Sequence, residues 1–140
     1  MGKLVLMVSA LLIFISVSEN ISAQEQENPV LVVSFQKVKM ADMEAANKLT
    51  NEKFAPILNK LVDEKMLNSW GHFNHAWGDE WNFNIWYVVK DMNAFNAFWD
   101  EYMKRLDGLA DEWAELRGYI QEHKDNIYTI MNQYPNPASK

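Results

Sequence analysis

From Val30 to Val38 the chain reads VLVVSFQKV, a run rich in β-branched residues that predicts a first strand. Alternation puts Leu31, Val33 and Phe35 on one face. Ser34 and Gln36 fall on the other, with Val32 and Val38. From Ala41 to about Met66 the period changes. Phe54, Ile57, Leu58, Leu61 and Val62 recur at three and four residues, as on one side of a helix. Pro56 lies inside that span, where it removes a backbone donor and crowds the preceding turn, so a kink or break is expected near Phe54.

Residues 68–77 and 81–90 read as two strands joined at Gly78-Asp79, a β-hairpin. Asp91 is placed to cap a helix whose stripe is Phe95, Phe98, Trp99, Tyr102, Met103 and Leu106. Asp107-Gly108 ends it. A shorter helix follows with Leu109, Trp113, Leu116 and Ile120 on one side, and residues 126–134 (NIYTIMNQY) read as the last strand. The order β-α-β-β-α-(α)-β predicts an α+β ferredoxin-like plait: a four-stranded antiparallel sheet with helices on one face and the other face bare.

The hairpin register decides what the bare face carries. A three-residue loop, Gly78-Asp79-Glu80, pairs Trp77 with Trp81 and separates polar from apolar positions. Phe73, Phe83, Ile85 and Tyr87 then lie under the helices with Leu31, Val33 and Phe35. The bare face collects Ser34, Gln36, Trp70 and His72, together with Asn74, Asn82, Asn84 and Trp86. These eight are the candidate ligand-binding residues. Trp81, Trp99 and Trp113 are expected in the core. Exposed indoles at Trp70 and Trp86 call for cover by a ligand or a second copy.

The rest of the composition narrows the picture. The chain of 140 residues is one domain in length. Lys3, the apolar run Leu4–Val17 and the small residue Ala23 have the grammar of a secretory signal over residues 1–23. A retained N-terminal anchor is the alternative, although the run falls short of the about 20 apolar residues of a comfortable span. A polar leader (24–29), a domain (30–134) and a tail (135–140) would follow, placing the protein outside the cytoplasm as a secreted or periplasmic species with no membrane attachment after cleavage. With no cysteine, the fold must stand on its core. A net charge of -6, with acids spread in pairs, argues against nucleic acid.

Among residues able to do chemistry, His72 and His75 are three apart. On a strand that spacing sends them to opposite faces, so they do not share a metal, and no zinc-type spacing completes a site. His72 is the catalytic candidate because it shares a face with Trp70 and Asn74; a hydrogen-bonded structural histidine explains it equally well. No nucleophile elbow, P-loop or dinucleotide fingerprint is present, and no cofactor is expected.

The stretch NEKFAPILNKLVDEKMLNSWGHF, a helix with an internal proline running into a Trp-Gly-His strand, followed by NFNIWYVVKDMNAFNAFW, resembles the dimeric α/β-barrel superfamily. That superfamily includes antibiotic-biosynthesis-monooxygenase-like, stress-responsive and NIPSNAP-like domains. The chain is most similar to secreted bacterial members without an established activity. The resemblance spans roughly residues 30–134 and implies a homodimer in which two bare sheet faces close into a barrel with a cavity. Some members are cofactor-free monooxygenases, haem-degrading enzymes or small cyclases. The haem-degrading pattern needs an asparagine on the first strand and a histidine on a helix, and neither is found here, so those roles are not carried over.

Three functions compete. The first is a secreted dimer binding an apolar or aromatic small molecule in a cavity on the bare face. The second is a cofactor-independent oxygenase or isomerase acting on an aromatic or polycyclic substrate, with His72 as general base and Asn74, Asn82 or Asn84 holding an oxyanion. The third is an interaction module with a filled barrel.

Overall fold

The computed structural model describes residues 28–75, 77 and 81–132. The expected signal, most of the leader, the Gly78-Asp79 turn and the C-terminal tail lie outside the described residues. The elements are β1 (Val30–Val38), α1 (Met43–Leu49), α2 (Ala55–Asp63), β2 (Ser69–Asn74), β3 (Phe83–Val89), α3 (Met92–Leu106), α4 (Ala110–Tyr119) and β4 (Ile120–Thr129). The sheet order is β2-β3-β1-β4, every pair antiparallel. This is the ferredoxin-like plait, with helices on one face.

Pro56 rewinds the helix instead of breaking it. One π turn, Thr50–Phe54, joins α1 to α2, and the proline sits in the first turn of α2, where a missing N–H does little harm. The wider turn carries Phe54 and Leu58 into full burial. α2 ends with Lys65 in the left-handed region (φ 61°), and Met66 N–H bonds back to the Leu61 carbonyl at 3.0 Å. Asp91 caps α3 as its position predicts, accepting from the Ala94 N–H at 2.7 Å.

The last strand departs from expectation. It starts at Ile120, directly after α4, and ends at Thr129, so Ile120 belongs to the strand. Its first half, QEHKD, has no apolar alternation to reveal it, because β4 is an edge strand open to solvent. Pairing with all of β1 holds it there.

The hairpin register differs as well. Asn74 pairs with Phe83, one position away from the register that joins Trp77 to Trp81. A slip of one residue turns every side chain of a strand to the other face. Trp70, His72 and Asn74 therefore lie on the helix-covered face, and Phe73 lies on the bare one. β1 is inverted in the same sense. Val30, Val32 and Val38 enter the core with Phe83, Ile85, Tyr87 and Val89, against Phe98, Tyr102, Leu106 and Leu116 of the helices. Leu31, Val33 and Phe35 share the bare face with Trp86 and Val88. Sorting polar residues outward gave the wrong faces because the bare face is itself apolar.

Candidate functional site

The eight candidate residues do not form one cluster. Asn84 and Trp86 lie on the bare face, as their positions on β3 predict. Trp86 lays its indole across Gly71, where an added Cβ would fall 2.5 Å from the ring, so only glycine permits that close approach. Asn84 is buried and donates to the Trp81 carbonyl at 2.9 Å. Ser34, Gln36, Trp70, His72 and Asn74 lie on the helix side, against expectation.

Three of the candidates hold elements together. Trp70 donates its indole N–H to Asn59 Oδ1 of α2 at 3.0 Å. Asn74 donates to Asn47 Oδ1 of α1 at 3.0 Å. Asn82 is buried just before β3. It accepts from the Val38 N–H at 2.9 Å and donates to the Val38 carbonyl at 2.8 Å, continuing the β1–β3 ladder with a side chain. His72 packs its ring on Phe83 at 4.4 Å between centroids. Burial lowers its pKa, against a hydrogen bond with Asn74 that raises it, so the imidazole is neutral at pH 7. His75 lies just past the end of β2, and among the described residues no group of three or more His, Asp or Glu side chains could hold a metal.

The structure brings Ser34 and Gln36 together with residues of different origin. A cavity of about 310 Å³ opens between the sheet and helices α3 and α4. Its sheet wall is Val32, Ser34, Gln36, Ile85 and Tyr87, with Asp125 and Ile127 of β4 beside them. Its helix wall is aromatic: Phe95, Trp99 and Tyr102 of α3, Trp113 of α4, and Phe54 from the π turn. Phe54 and Trp113 meet edge to face at 5.8 Å, and Phe95 stacks on Trp99 at 6.0 Å. The cavity thus lies within the protomer, under the helices, and not on the bare face where sequence placed it.

A polar strip crosses this apolar chamber. Gln36 Nε2 donates to Ser34 Oγ at 3.3 Å, and Ser34 is the ladder partner of Asp125. Gln36 is only 9% exposed, and its Oε1 has no hydrogen-bond partner. Burial raises the pKa of Tyr87, with further upward pushes from Tyr102 and Asp125. Burial likewise raises Tyr102 far above the ordinary tyrosine range. Both hydroxyls therefore stay protonated and can act as hydrogen-bond donors.

Trp99 and Trp113 were expected as plain core, and their exposure to a cavity could not be told from stripe periodicity. Asp125 was missed because the last strand was placed too late. Its one signal was alternation with Ile127.

No family model matches the sequence, and no curated protein matches it. Solved structures do. A dimeric ferredoxin-like protein from an uncultured marine organism superposes with a TM-score of 0.64 at 12% identity, over 79% of this chain and 95% of that one. The chain has a ferredoxin-like fold. A NIPSNAP family protein from Agrobacterium tumefaciens matches at a TM-score of 0.60 and 12% identity, covering 76% of this chain and 89% of its own. A putative antibiotic biosynthesis monooxygenase from Nitrosomonas europaea matches at 0.55 and 19% identity, covering 79% and 95%. These are the groups whose resemblance the sequence carried; at such identities they speak for the fold.

Proposed function

We propose that this protein is a homodimer, paired through its bare sheet faces, in which each protomer binds an apolar or aromatic small molecule in its own cavity. The observation that carries the reading is the aromatic chamber between the sheet and α3/α4, with Ser34 and Gln36 on its sheet wall. An apolar pocket with a few placed polar groups is the usual form of a small-molecule site. Binding is favoured over the reading with His72 as general base because His72 does not line the chamber. Dimerisation draws support from the apolar bare face and from the dimeric ferredoxin-like proteins of the same fold.

Ser34 lies on the chamber wall, so Ser34→Phe would fill it with a ring. Mass spectrometry of small molecules released from native protein tests the reading. The wild type should release an apolar or aromatic compound, and folded Ser34→Phe should release none. Identical spectra from the two proteins would overturn it.

We also propose export, on the basis of Lys3, the apolar run and Ala23. Intact mass of the protein from its native host should correspond to a start near Gln24. A mass that includes the first residues would refute cleavage.

A further inference from the structure

Resting on the pocket just proposed, we infer that the chamber selects a cationic ligand: an apolar or aryl body carrying one ammonium group. The charge pattern of the walls argues for this. Among the described residues Asp125 is the one lining residue with a formal charge, and it stands at the solvent-exposed β4 end of the chamber. It stands on the strip that leads through Ser34 to Gln36, directly opposite Ser34 on the neighbouring strand. Two cations next to lining residues in sequence are engaged elsewhere. Lys124 extends over the rings of Trp81 and Phe35 on the other face of the sheet, 4.4 and 5.4 Å from their centroids. Lys53, beside Phe54, is bound by Glu112 of α4 at 3.0 Å. Among the described residues Asp125 makes no ion pair, so its carboxylate is available to a ligand.

The remaining groups agree with that sign. Trp99, Trp113 and Phe54 present ring systems to the same space, and the faces of aromatic rings attract cations. A carboxylate ligand would meet Asp125 as a like charge. The net charge of -6 adds a weaker, long-range attraction in the same direction.

Three matched probes read out the charge alone: phenylbutylamine, phenylbutanol and phenylbutyrate, titrated by calorimetry into the full-length protein at pH 7. The amine should bind about tenfold more tightly than the alcohol, and the acid more weakly than either. Asp125→Asn should reduce the advantage of the amine over the alcohol severalfold. Ser34→Phe should remove binding of all three. Equal affinities for the three probes in the wild type would overturn the cation preference and leave the pocket standing. A preference for the amine that is undiminished in Asp125→Asn would overturn the role of Asp125. Failure of every probe to bind would overturn this inference together with the pocket reading beneath it.

Discussion

Trp86→Glu is expected to turn a dimer into a monomer. Trp86 is central on the bare face, half-buried in a single protomer and flanked by Val33 on β1 and Gly71 on β2. The surrounding surface is apolar, with Leu31, Phe35 and Val88 beside it and Phe73 still 44% exposed. A protomer in water leaves this patch wet, and a second copy would cover it. Central tryptophans of such interfaces carry about 2 kcal/mol or more each, and glutamate adds a charge with no partner. The dissociation constant should rise by roughly thirtyfold to a thousandfold. Sedimentation velocity across a dilution series reads this directly, with circular dichroism to show that the variant keeps its fold. Trp86→Phe should stay dimeric. A monomeric wild type, or a Glu variant that sediments as the dimer, would mean the sheet face is not the interface.

Asn82→Ala should be the most damaging substitution among the eight candidate residues. Its amide closes two hydrogen bonds to the backbone of Val38, which is 2% exposed. Truncation strands a buried N–H and a buried C=O together. Each unsatisfied group costs about 1–3 kcal/mol, so a loss of about 2–5 kcal/mol is expected. That is a large share of the about 5–15 kcal/mol that holds a domain together. Urea denaturation at fixed protein concentration measures it. Asn93→Ala, on the exposed side of α3, is the comparison and should move stability by about 0.5 kcal/mol or less. Equal midpoints for the two variants would show that Asn82 is not a structural clamp.

These two residues also show what the sequence could and could not reveal. Strand and helix order followed from periodicity, since the stripe Phe95–Leu106 and the run Val30–Val38 admit few other readings. Face assignment failed because it assumed that polar residues point to water. In this fold the water-facing side around Trp86 is apolar, and the cavity under the helices takes the polar Ser34 and Gln36. A run such as VLVVSF, apolar on both faces, contains no signal for which face is which. The cavity was equally hidden. Phe95, Trp99 and Tyr102 have the same spacing whether they fill a core or line a chamber, and only the distance between helix and sheet separates the two. His72 shows a further limit: burial and packing against Phe83 make it a neutral interior side chain, which residue type alone could not foretell.

The polar edge of the sheet has its own consequence. β4 runs ten residues with one side unpaired, and a strand of that length offers a row of free backbone groups to any passing chain. Five consecutive positions, Gln121 to Asp125, are polar, and their charges alternate in sign with a histidine between. A foreign strand docking there would have to desolvate Glu122, Lys124 and Asp125 at once. Lateral growth into fibrous assemblies is therefore discouraged along the very strand that is longest, even in a protein whose other surfaces are rich in tryptophan and phenylalanine. The composition that obscures β4 from a reader of the sequence is the same one that shields it from other copies of the chain.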